Sequence, residues 1–304
     1  MKKALVFTFT VCIVGSLTIF LRTIDFTQVL DLIWTTGYRF GLLLLITFVA
    51  YIFGTISWQF SLGSYRNIVS LSRLFLIRHL GETVGTFNPT SIVGGDALKA
   101  ILLRNYNIPE KTVVWSMIFS RGIMIVSQAF LFITLGLAFV IGTASHLTAP
   151  ANHGKYSGLC ALGLLRWKIV RLKIARFLRE MPVVLRENKR LLMLSFVFAV
   201  LHWIAGGLEF YLILKFLGLK VSILQALVVD LGVVVFKAAG AFIPGQLGVE
   251  EYGNKIMLIA IGLPSEELWV TVSVLRRARQ LFWIVVGLAF YFILSRKQVA
   301  VLKS

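Results

Sequence analysis

Five stretches of this chain, residues 4–21, 40–60, 113–141, 191–217 and 269–294, have the length and apolar character needed to cross a bilayer. The hydrocarbon core takes about 20 helical residues. Within it every backbone polar group needs an internal partner, which a helix supplies from its own segment. Three further segments are ambiguous. Residues 223–243 are long enough but carry Asp230 and Lys237. Residues 147–165 hold Pro150, Asn152 and His153 in their first turns, and 71–87 are interrupted by Arg73, Arg78, His79 and Glu82. Of the 304 residues, 58% are hydrophobic and 14% charged, against roughly 25% charged in a soluble domain. This excludes a soluble globular domain and a disordered chain. The net charge of +18 is the kind of balance that suits nucleic acid, but so apolar a chain must first leave water. Basic loops lying against anionic lipid account for it instead. Cys12 and Cys160 both sit in apolar runs and read as packing residues.

Lys2 and Lys3 precede an apolar run as in a signal peptide, but no A-x-A-like cleavage site follows. The run reads as a retained first span. Basic loops stay in the cytoplasm. The strongest is the linker 166–190, with nine Lys/Arg and two Glu. Its Trp167, Val170, Ile174, Phe177, Leu178 and Met181 form one stripe at helical spacing, as in a helix lying on the inner leaflet. Both termini are basic, so both are expected on the cytoplasmic side of the inner membrane.

A displacement of 155 residues brings Phe87, Pro89, Asp96, Pro109 and Arg121 onto Phe242, Pro244, Glu251, Pro264 and Arg276. Proline and charged residues are scarce in such a chain, so these coincidences point to internal repeats at about 68–141 and 223–294. Each copy reads as an apolar segment, a Pro/Gly break, a short helix with an acid, a Pro turn, and a long span with Arg near its start. Loop charge places the copies in opposite orientations. The expected fold class is an all-α integral membrane protein: a polytopic helical bundle with two inverted repeats, each containing a broken re-entrant hairpin. That gives six crossings plus two hairpins. Eight full crossings satisfy the charge pattern equally well.

The breaks have a local cause. Pro89 and Pro244 remove a backbone donor, while Gly94, Gly95, Gly245 and Gly248 permit unusual dihedrals and close approach. Asp96 falls near the start of the next helix, where it either caps that helix and pairs with Lys99 or borders a polar site whose free N–H groups bind phosphate. Arg121 lies about two turns inside its span, where a guanidinium costs at least about 2.5–3.5 kcal/mol. Asp96 or Glu82 is its natural partner. Arg276, Arg277 and Arg279 pose the same problem in the last span, with Glu250, Glu251 or Asp230 to answer it. These cations either form fixed ion pairs, lie at the interface and snorkel, or exchange a carboxylate for a phosphodiester, a task suited to the Arg fork. Lys237, Asp230, His202 and Glu209 are further intramembrane candidates, with a satisfied internal hydrogen bond expected for His202.

The pattern P-x(4)-G-G-D-x(2)-K at 89–99 resembles a signature of the flippase-like membrane domain of lysylphosphatidylglycerol synthetases. Ser120-Arg121 sits where that family often has a polar-Arg pair, and F-I-P-G-Q-L-G-V-E-E at 242–251 resembles its second signature, usually close to P-G-G-L-G-x-x-E. Gln246 replaces the second Gly of that pattern. The 304 residues hold no aminoacyl-transferase domain beside the membrane segments, and none is expected. The resemblance therefore implies a stand-alone membrane domain over 1–304, a lipid transporter of flippase type and not an enzyme. Its expected ligand is an anionic or phosphate-bearing lipid, held by Arg121, Arg276, Arg277, Arg279 and Lys237 with Asp96, Glu250 and Glu251. A membrane-embedded accessory or catalytic subunit of a glycolipid or aminoacyl-lipid pathway, working with a separate transferase, is the alternative. No phosphate loop, H-E-x-x-H or Cys/His cluster occurs, so no ATP hydrolysis, cofactor, metal or nucleic-acid partner is expected.

Overall fold

The computed structural model describes residues 26–87, 92–144, 188–240, 243, 246 and 248–301. The expected first span at 4–21, the segment 147–165 and nearly all of the linker 166–190 lie outside the described residues, as do Pro89, Pro244 and Gly245. The described chain is all-helical. It forms α1 (Phe26–Thr36), α2 (Tyr38–Ser61), α3 (Leu71–Phe87), α4 (Ile92–Arg104), α5 (Glu110–Ala144), α6 (Lys189–Phe216), α7 (Ile223–Ala239), α8 (Val249–Ala260) and α9 (Glu266–Val301). Three of these, α2, α5 and α6, are long and apolar enough to cross a membrane. The candidate 269–294 falls within the single helix α9, but Arg276, Arg277 and Arg279 interrupt its apolar run.

The three helices α3, α4 and α5 begin at Leu71, Ile92 and Glu110, and α7, α8 and α9 begin at Ile223, Val249 and Glu266. Two short helices and one long one thus recur in the same order at nearly the displacement found in the sequence. α3 packs chiefly on α4, and α7 packs on α6 and α8.

The spine of the molecule is the α2–α6 pair. Small residues crowd the buried faces of the two helices: Thr47, Ala50, Thr55, Ser57 and Ser61 on α2, and Ser195, Ala199 and Ala205 on α6, are all buried. Small residues let backbones approach closely and let hydroxyls bond across helices, which is how helices associate in lipid. Ser57 Oγ donates to the Ser195 carbonyl at 2.8 Å, and Ser195 Oγ donates to the Ser57 carbonyl at 2.7 Å. His202 Nδ1 lies 2.7 Å from the Ala50 carbonyl oxygen, the internal hydrogen bond expected of it.

The two larger apolar clusters among the described residues draw on this spine and the helices beside it. One joins Phe40, Leu43, Phe210, Ile213, Val229, Val233, Leu258, Val272 and Leu275; the other joins Trp58, Leu62, Leu74, Ile77, Leu103, Val113 and Met117. The outer faces stay apolar, with Leu45, Ile125, Ile133, Leu137 and Met193 all exposed. In water such surface is a liability, but against acyl chains it is the surface required.

The breaks sit between the short helices. α7 starts with a capping box: Ser222 Oγ accepts from Gln225 N–H, and Gln225 Oε1 accepts from Ser222 N–H. It stops at Gly240, and the chain re-enters helix after Gly248, whose φ is +76°. Between them Gln246 adopts φ +52°, a region that L residues seldom visit. Its Nε2 donates to the Lys237 carbonyl, one of the free acceptors at the end of α7.

Candidate functional site

Helix geometry places the charges of α3, α4 and α5 together. Arg78 and Glu82, four apart on α3, pair at 2.8 Å. Gly54 on α2 makes room for that guanidinium, which a Cβ would strike, and Arg78 Nη1 also donates to the Tyr51 carbonyl. Asp96, in the first turns of α4, receives two cations. Arg121 donates from Nε to Oδ2 at 2.6 Å and from Nη2 to Oδ1 at 2.9 Å, and Lys99 Nζ lies 3.3 Å from Oδ1. The Lys99 ammonium also sits 5.7 Å from the centre of the Trp58 ring. Arg121 therefore has Asp96, not Glu82, as its partner, and Asp96 meets both Lys99 and Arg121.

These five charged residues line a cavity of about 320 Å³, together with Trp58, Ser120, Gln128, Trp203 and the apolar Met117, Met124 and Ile125. Three cations face two carboxylates, so the cavity carries one positive charge in excess.

A second cavity of about 510 Å³ lies between α3, α7 and α9, walled by His79, Thr83, Lys237, Gln246, Arg279 and Gln280, with Tyr51 and Trp283. Glu82 and Arg121 line both cavities. The cations at its wall are backed by carboxylates behind it: Lys237 Nζ donates to Glu250 Oε2 at 3.1 Å, and Arg279 Nη1 donates to Glu209 Oε2 at 2.5 Å. The indole N–H of Trp283 is buried without a partner among the described residues.

Arg276 and Arg277 line neither cavity. Arg276, 5% exposed, reaches Asp230 Oδ1 and Glu250 Oε1, each at 2.9 Å, and its guanidinium lies over the Phe210 ring. Arg277 holds Glu251 through Nε to Oε1 at 2.8 Å and Nη2 to Oε2 at 3.1 Å. The three arginines of one helix turn thus take different acids because they point in different directions around α9. Asp230 and Lys237, seven apart on α7, do not pair with each other; Glu250 binds Lys237 and Arg276, and Asp230 binds Arg276. Of the residues singled out from sequence, Asp96, Arg121, Lys237 and Arg279 reach a cavity wall, while Glu250 and Glu251 stand behind it. Gly94 and Gly95 belong to α4 rather than to a loop before it. Arg78 and Glu82 carry more of the site than the sequence reading gave them; their signal was the interruption of an apolar run by charges four apart. Gln128, Trp203 and Gln280 carried no signal.

A polytopic helical bundle with apolar outer faces and ion pairs buried between its helices is an integral membrane protein. The chain belongs to the family described as lysylphosphatidylglycerol synthase TM region, which matches it over residues 4–289. Its members are membrane domains of lipid-modifying pathways. No curated protein and no solved structure matches the chain.

Proposed function

We propose that this protein is a lipid transporter that carries an anionic or phosphate-bearing headgroup between leaflets by way of the two cavities that share Glu82 and Arg121. In this reading it catalyses no covalent chemistry and sits in the inner membrane with both termini cytoplasmic. A separate pathway enzyme supplies or consumes its lipid. One observation carries the reading: Arg121, with its side chain 42% exposed, stands in the wall of both cavities where cations outnumber carboxylates. Its fork suits a phosphate, and it keeps its charge at any accessible pH. Ile125 supports the entry route. It lines the first cavity and is also 66% exposed on the outer face of α5, so acyl chains can stay in lipid while the headgroup enters sideways.

The recurrence of α3–α4–α5 as α7–α8–α9 supports inverted repeats, with α3–α4 and α7–α8 as re-entrant hairpins from opposite sides. Transporters built this way place their ligand near the midplane, between broken helices. Rocking of each hairpin against the α2–α6 spine would alternate access to the cavities. Arg276 and Arg277 hold the second hairpin to α9, while Arg121, Lys237 and Arg279 meet the headgroup. The test is reconstitution into vesicles and measurement of the translocation of labelled phosphatidylglycerol. Transport above that of empty vesicles, lost in Arg121→Ala, supports the reading. Transport equal in wild type and Arg121→Ala removes the site, and no transport by folded wild type removes the activity.

A further inference from the structure

The buried carboxylates are not equally backed. Asp96 has Lys99 as well as Arg121, and Glu250 has both Lys237 and Arg276. Asp230 rests on Arg276, which lines neither cavity. Glu209 on α6 differs from all of these. It is 2% exposed, Arg279 is its one ion-pair partner among the described residues, and its second oxygen, Oε1, is buried with neither a hydrogen bond nor, unlike Glu250 Oε1, an arginine in ion-pair contact there. Arg279 itself lines the larger cavity. The cation that neutralises Glu209 therefore stands at the wall a headgroup phosphate would approach.

We propose that Glu209 is a proton-binding site coupled to the ligand through Arg279, an inference that rests on the phosphate reading of the cavity. A phosphate beside Arg279 competes with Glu209 for the same guanidinium donors, and a guanidinium does not give up its own proton. Once Arg279 turns to the phosphate, Glu209 is a charged carboxylate buried without a counter-ion, a state that neutralises rather than persists. A proton from the water of the cavity then adds to a Glu209 oxygen. When the phosphate leaves, Arg279 returns and the proton departs by the same route. One negative charge enters with one positive charge, so the net charge of the buried cluster is unchanged by loading.

The neighbours direct that proton to Glu209. The charged and titratable groups around it are Arg279 and Arg276 on α9, Asp230 on α7, Glu250 on α8 and, near the same pair, Tyr51 on α2. Arg276 is already held between Asp230 and Glu250, so those acids keep a cation when Arg279 moves and Arg276 does not turn to Glu209. His202, on the same helix, is engaged with Ala50.

The experiment is a titration of purified wild-type protein in weakly buffered detergent with short-chain phosphatidylglycerol, with a pH indicator reading proton uptake. About one proton per bound lipid is expected, and affinity should fall about tenfold per unit rise in pH, the linkage for one proton. Glu209→Gln should bind more tightly, without pH dependence and without proton uptake. An infrared difference spectrum of the wild type should gain a protonated-carboxyl band on lipid addition, and Glu209→Asp should shift it. Lipid binding without proton uptake, uptake unchanged in folded Glu209→Gln, or a band unmoved in Glu209→Asp overturns the proton site alone. Should Glu209→Gln fail to fold, the wild-type spectrum decides, and a missing band overturns the proposal. No lipid binding by folded wild type overturns both this inference and the phosphate site.

Discussion

Arg277 grips Glu251 with the same two-pronged geometry that Arg121 uses on Asp96, Nε to one carboxylate oxygen and Nη2 to the other. The partners are 25 residues apart in the first pair and 26 in the second. The sequence repeat had set Arg276 opposite Arg121; in space Arg277 holds the matching position. Arg276 has instead become the cation of a separate buried cluster. The two halves thus share a device for tying a short helix to a long one, but the first pair borders a cavity and the second stands behind one.

Arg121→Lys separates charge from shape. Lysine keeps the positive charge but loses the planar fork. Translocation of phosphatidylglycerol should fall by about tenfold, the equivalent of one bidentate contact of about 1.4 kcal/mol, while the fold persists because Lys99 still neutralises Asp96. Vesicle assays together with thermal unfolding in detergent distinguish the two effects.

Arg276→Met should fail differently. It leaves Glu250 with Lys237 but strips Asp230 of its ion-pair partner in a buried site, and breaking a buried pair from one side costs about 3–5 kcal/mol. A marked loss of thermal stability or of monodisperse protein is expected. Asp230→Asn combined with Arg276→Met removes the stranded charge and should recover part of that stability.

Gly95→Ala tests the contact between α3 and α4. A methyl group there would press on the Gly81 carbonyl and come within 3.3 Å of the Gly85 Cα. Backbone cannot swing aside as a side chain can, so overpacking should cost about 1–3 kcal/mol. Gly136, on α5 with open space around it, provides the control. Gly136→Ala should leave the unfolding temperature unchanged or raise it slightly, since Ala favours helix.

Gln246 stands at φ +52°, in the left-handed region that favours glycine. Gln246→Gly relieves a left-handed penalty of about 1–2 kcal/mol and loses one long hydrogen bond of 3.3 Å to the Lys237 carbonyl. The substitution should be neutral or stabilising. Gln246→Val adds β-branching at the same dihedral and should destabilise by more than about 1 kcal/mol. Unfolding midpoints of the two variants, measured side by side, check the order.

Much of the architecture could be read from the chain alone. Apolar runs of bilayer length gave α2, α5 and α6 because hydrocarbon leaves an apolar segment few alternatives to helix. The break after α7 was legible because Gly and Pro act on their own backbone. Single charges in those runs, such as Asp96, Arg121 and Lys237, marked themselves by their cost at depth. Which acid meets which base was not legible. Arg121 had two candidate acids in sequence, and the packing of α4 on α5 selected Asp96. Arg276, Arg277 and Arg279 lie within one turn of α9, yet successive positions around a helix face different neighbours, here α7 and α8, α8 alone, and α6. Glu209 meets Arg279 across 70 residues of sequence, a separation that no local pattern spans. The sequence settled where the chain is helical and which charges must be answered, because both follow from the solvent the chain lives in. The packing of the helices decided the answers, because an ion pair is fixed by distance and direction between segments that only the folded molecule brings together.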